Sequence, residues 1–167
     1  MSDIYELIVT VDLRNELSEQ QLAELRWHLG IGPQPAGLAI VTEFPFVVVD
    51  DEGNLEVEDD PHPLLAGSGA AEKVGGALCS ALAGREDLAR EGWSLTSRIE
   101  IHPDEVEKVG ELLCWLADRA HDTHRLADGA VRMGYYRWYE ELTPHVLKVE
   151  NGQINLLEAT GTPTTEE

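Results

Sequence analysis

The sequence predicts an α+β domain with a mixed or antiparallel sheet and helices mainly on one face. Residues 93–116 read as a strand running directly into a helix, and residues 5–29 repeat that grammar. A run of short strand signals after residue 130 favours neighbouring antiparallel strands over a parallel sheet.

At the N-terminus, Tyr5, Leu7, Val9, Val11 and Leu13 lie on one face of a strand. Ser18 is placed to cap a helix, with Gln21 completing a capping box. Leu22, Leu25 and Leu29 form its apolar stripe, and Gly30 can end it. Two prolines and two glycines over 31–37 make a loop. The apolar residues 38–41 are expected to begin a strand, which Phe44-Pro45-Phe46 interrupts. Val47-Val48-Val49 is the clearest local strand signal, with a turn over 51–54 and a return strand from Leu55 to Val57.

That hairpin carries Asp50, Asp51, Glu52, Glu56, Glu58, Asp59 and Asp60. Clustered carboxylates suit calcium or magnesium, but the spacing lacks the alternating ligands and sixth-position glycine of a calcium loop. The cluster reads instead as a solvated tip or an acidic protein-binding patch, with Asp51, Glu52, Asp59 and Asp60 as candidate binding residues. Residues 64–76 contain Gly67-Ser68-Gly69 and Gly75-Gly76 but match neither phosphate-loop pattern. A short helix is expected over 70–83, packing Val74, Leu78 and Leu82.

In the central stretch Leu95, Ile99 and Ile101 alternate with Thr96, Arg98 and Glu100, and Ser97 interrupts the apolar row. Pro103 suits a first helical position, and Asp104 and Glu105 complement the helix dipole. Val106, Val109, Leu112, Leu113 and Leu116 then mark a core-facing stripe. Sliding this stretch on the first pairs Leu7 with Leu95, Leu25 with Leu113 and Trp27 with Trp115. Two β-α-β-β halves, about 1–60 and 93–158 joined by 61–92, would follow from an internal duplication. Fixed periods alone also make such units look alike.

Residues 118–125 hold the main concentration of metal-ligand types: Asp118, His121, Asp122 and His124. If the helix continues, Asp118, His121 and Asp122 share a face. Two arginines interrupt the cluster and no zinc signature is present, so a polar helix end is the simpler expectation. His28, His102 and His145 flank or end elements. Residues 133–142 read as an aromatic strand. Tyr135, Arg137 and Tyr139 would share one face, with Tyr136, Trp138 and Glu140 on the other. Tyr135, Arg137, Trp138 and Tyr139 are residue types enriched at binding surfaces and are the first choice for a functional surface. Asn151-Gly152 between two apolar runs predicts a hairpin with a type I′ turn. Residues 159–167 read as a mobile acidic tail.

The element order is that of the ferredoxin-like sandwich, a duplicated relative or a dimeric α+β barrel, by analogy of order alone. A length of 167 residues suits one domain, over 1–158. No apolar run approaches a membrane span, and the start lacks signal-peptide features. A cytoplasmic location is the default. Cys79 and Cys114 are expected as core thiols on helices, without metal spacing.

Thirty-two acidic residues against twelve basic give a formal net charge of −20. This opposes binding to nucleic acid or anionic membranes and permits a basic protein partner. No cofactor or catalytic motif stands out. The expected function is a non-enzymatic interaction module binding a basic protein, with a homodimer left open. The alternative is a small-molecule binder or enzyme with a pocket near the aromatic strand, using His121 and His124 as acid–base or metal groups.

Overall fold

A computed structural model describes residues 3–86 and 91–156. The tail expected over 159–167 lies outside the described residues. Among the described residues, six antiparallel strands form the main sheet, and two α-helices pack on one face of it. The strands are β1 (Tyr5–Arg14), β4 (Cys79–Arg85), β5 (Gly92–Ile101), β6 (Val131–Trp138), β7 (His145–Glu150) and β8 (Gln153–Ile154). The helices are α1 (Glu19–His28) and α2 (Val106–Arg119). A separate two-stranded ribbon, β2 (Pro45–Val49) and β3 (Leu55–Asp59), is inserted after α1.

Spatial order in the main sheet is β4-β5-β1-β6-β7-β8. Leaving out the ribbon and the last two strands, the chain runs β1-α1-β4-β5-α2-β6. This is the split β-α-β arrangement of a ferredoxin-like core. The central pair, β1 and β5, runs in register from Tyr5 opposite Ile101 to Arg14 opposite Gly92. Leu7, Val9, Val11 and Leu13 thereby meet Leu95, Ile99 and Ile101 on one buried face. Leu25 of α1 and Val109, Leu112, Leu113 and Leu116 of α2 close over them. Each fully buried leucine contributes about 2 kcal/mol through removal of apolar surface from water. Ser18 and Gln21 form the expected capping box on α1.

Several local expectations differ from the structure. No helix forms over 70–83. Residues 79–85 are instead the edge strand β4, and the glycines before it belong to a loop bent back by an Ala70–Ala77 bridge. The strand that completes the first β-α-β unit is thus β4, within the expected connector 61–92, and not the 45–59 hairpin. Residues 38–41 form no strand, because their backbone N–H groups bond to a buried carboxylate and not to a neighbouring strand. Helix α2 stops at Arg119 because Ala120 is extended (φ −66°, ψ 145°), so Asp118, His121 and Asp122 do not share a helical face. Cys79 sits exposed on β4, and Cys114 half-buried on α2; both are free thiols. No helix among the described residues is long and apolar enough to cross a membrane.

Two turn features follow from residue type. Asn151 and Gly152 both have positive φ (52° and 73°), as a type I′ turn requires. Gly134, where β6 bulges against β7, has φ 148°, and a Cβ there would lie 1.8 Å from the Ile8 carbonyl oxygen. Only glycine fits between β1 and β7 at that point.

Candidate functional site

The aromatic strand divides as its alternation implies. Tyr136 and Trp138 face the helices, with Tyr136 buried and Trp138 at the edge of the core. Tyr135 and Arg137 point to the opposite face, where Tyr135 is 40% exposed. Tyr139 lies just past the strand, its ring edge-on to Trp138 at 5.2 Å, with the Lys73 ammonium 5.7 Å from its centroid. Its phenol pKa is raised, first by the hydrogen bond to Glu140 and then by partial burial.

Arg137 reaches a carboxylate within the protein. Its Nε donates to Glu6 Oε1 at 2.8 Å, and Arg98 donates Nε and Nη2 to Glu6 Oε2 at 3.0 and 2.5 Å. Glu6 is only 7% exposed, so both guanidiniums compensate a charge that would otherwise be costly to bury. The remaining donors hold a loop. Arg98 bonds the carbonyls of Ala77 and Gly75, and Arg137 bonds those of Val74, Tyr139 and Glu141. From the adjoining position, Glu100 accepts the backbone N–H groups of Glu72, Lys73 and Val74. Burial raises the Glu100 pKa, but these three bonds and Arg98 outweigh it and hold the group below the usual carboxylate range. Loop 72–78 is therefore strapped across one end of the open sheet face by residues of β1, β5 and β6.

A second polar cluster lies farther along that face. The Asp12 backbone N–H donates to His124 Nε2 at 2.9 Å, Ser94 Oγ donates to Asp12 Oδ1 at 2.8 Å, and Arg85 pairs with Asp12 Oδ2 at 2.9 Å. Burial raises the Asp12 pKa, and the Ser94 and Arg85 contacts more than reverse it. His124 is 7% exposed, and the Nδ1 of His121 accepts from Thr123 N at 3.4 Å. No group of three or more His, Cys, Asp or Glu among the described residues is placed to hold a metal ion.

Sequence reasoning passed over a buried pair on α1. Glu24 and His28 have side chains with no solvent exposure, 3.3 Å apart. The Glu24 carboxylate accepts the N–H groups of Ala39, Ile40 and Val41 and so fixes the 38–41 loop. Burial lowers the His28 pKa against the opposing pull of Glu24, and its Nδ1 has no hydrogen-bond partner among the described residues. The i,i+4 spacing was the only available signal, and it is common on exposed helices.

The acidic hairpin stands apart from these networks. Its cross-strand pairs are Val47 with Val57 and Val49 with Leu55 on one side, and Phe46 with Glu58 and Val48 with Glu56 on the other. Val47, Val49, Leu55 and Val57 are 62–73% exposed. Asp51 and Glu52 occupy the tip. Asp50 Oδ1 accepts from the Glu52 and Asn54 N–H groups there, and these backbone bonds, that of Asn54 foremost, lower its pKa. At the base, Asp59 accepts from Phe44 N at 2.7 Å and Asp60 N donates to the Phe44 carbonyl. Buried Phe44 anchors the ribbon against Trp27, His28 and His62. The ribbon thus joins a rigid root to an apolar face, an acidic face and no basic residue over 45–60.

The chain matches no known protein family, no curated protein and no solved structure.

Proposed function

We propose that this protein is a cytoplasmic, non-enzymatic interaction module whose β2–β3 ribbon grips a basic protein partner. The observation that carries the reading is the exposed row Val47, Val49, Leu55 and Val57, backed by Glu56 and Glu58 and flanked by Asp51, Glu52, Asp59 and Asp60. A two-stranded ribbon gains little stability of its own in water, and a contiguous exposed apolar strip is the mark of a contact surface. Burying that strip supplies affinity, while the carboxylates favour a partner with lysines or arginines around an apolar groove. The same charge disfavours nucleic acid and anionic membranes. Two free thiols agree with a reducing compartment.

The test is capture from lysate by the tagged full chain at low and moderate salt, beside Val47→Ser/Leu55→Ser and Glu56→Gln/Glu58→Gln. A basic partner should bind the wild type in stoichiometric amount and be lost from both double variants, whose melting temperatures stay within a degree or two of wild type. The reading fails if the variants retain the partner, or if no basic protein binds at either salt.

A further inference from the structure

A cavity of about 740 Å³ lies beside α2, and none of its lining residues belongs to the ribbon. Ile40, Val106, Trp115 and Ile154 give it apolar walls. Its polar lining residues include Glu107, Glu111 and Gln153, two of them carboxylates. Lys108 pairs with Glu111 at 2.8 Å, which leaves Glu107 as the stronger negative group facing a ligand. Among the described residues, no lysine or arginine lines the space.

Gly110 forms part of the cavity wall in the middle of α2. A glycine there weakens the helix relative to alanine. Packing does not require it, because an added Cβ would meet only the Ile154 side chain, at 3.5 Å, an ordinary contact. The missing side chain instead lets Ile154 lie close to the helix at the cavity wall. Next to it, Cys114 Sγ donates to the Gly152 carbonyl at 3.3 Å, and burial followed by Asp118 favours the neutral thiol. The neutral thiol reacts slowly, so its alkylation reports on access to this wall.

We propose that this cavity binds a small apolar organic cation, its hydrocarbon or aromatic body between Ile40, Trp115 and Ile154 and its ammonium toward Glu107. A cationic ligand complements the Glu107 carboxylate, and the volume matches that of small-molecule sites.

Three probes sharing an indole body test this on the full chain: tryptamine, uncharged tryptophol and anionic indole-3-propionate. Binding is followed by calorimetry and by the slowing of Cys114 alkylation, read at its own peptide by mass spectrometry. Tryptamine should bind up to about fivefold tighter than tryptophol, the effect of one exposed charge pair, and indole-3-propionate weakest. Glu107→Gln should remove the preference for the cation and leave tryptophol binding unchanged. Gly110→Leu should abolish binding of all three, and Gly110→Ala should weaken it while keeping the fold. Equal binding of the three probes, or no binding at millimolar concentration, overturns the proposal. Cys114 protection that persists in both Gly110 variants also overturns it. Ribbon variants should bind tryptamine normally, so failure here and failure of the ribbon reading are separable.

Discussion

Arg137 shows how a residue type that signals binding can be consumed internally. Its guanidinium makes four hydrogen bonds, to Glu6 and three backbone carbonyls, so Arg137→Ala removes half the compensation of a nearly buried carboxylate and frees the 72–78 strap. The expected loss is about 2–4 kcal/mol, measured by urea denaturation. Arg137→Lys should recover little, because a lysine lacks the fork that spans both partners. Near-wild-type stability in Arg137→Ala would instead release this side chain for a ligand. His28 makes a pH prediction. Burial lowers its folded pKa, so the unfolded chain takes up the proton first as pH falls below the ordinary histidine value of about 6.5. Stability is unaffected above that value, then declines until the folded pKa is reached. The thirty-two carboxylates add their own slope at lower pH, so the comparison is between wild type and His28→Gln, which keeps a donor toward Glu24. The variant should lose less melting temperature between pH 7 and pH 5. Parallel curves would show that His28 does not titrate on unfolding.

At the scale of elements, legibility tracked how many residues agreed on one period. Strand β1 and helix α2 each carry five apolar positions in register, and both stand where the sequence placed them. Strand β4 was read as helix because Cys79-Ser80-Ala81-Leu82-Ala83 suits either period, and only pairing with β5 settles it. Residues 38–41 have strand-like composition, but Glu24 supplies the hydrogen-bond partners that a sheet would have offered. No local pattern encodes a carboxylate fifteen residues away. The same holds for the candidate sites. The acidic hairpin was legible as charge, yet its separation from the main sheet depended on β4 and β6 taking the places beside β5 and β1. The cavity at Gly110 gave no signal in sequence, since a mid-helix glycine reads only as a weak helix former. Its structural setting yields a sharper expectation. Gly110→Ala should stabilise the protein by about 0.5–1 kcal/mol, raising the melting temperature by about 1–4 °C at this chain length. A fall would mean that helix α2 needs the glycine for contact with β8.

Over the whole molecule, the net charge of −20 is unevenly spread. The ribbon segment 45–60 carries seven carboxylates and no basic residue. Arg85, Arg98 and Arg137 sit on the open sheet face, each engaged with a carboxylate of β1. This placement makes two responses to salt diverge. Self-repulsion among exposed carboxylates destabilises the compact state, and salt screens it over a Debye length of about 10 Å at 0.1 M. The Glu6 pairs are largely shielded from solvent and respond less. Raising sodium chloride from about 10 mM to about 0.5 M should therefore raise the melting temperature of the free protein. The proposed ribbon complex would depend on attraction between opposite charges across a solvated rim, so the same change should weaken it, chiefly by slowing association. Calorimetric melting and surface-plasmon kinetics over one salt series measure the two effects side by side. A melting temperature that falls with salt would show that attractive pairs outweigh repulsion in the folded chain. An association rate indifferent to salt would remove the carboxylates from the recognition step and leave the Val47–Leu55 strip to act alone.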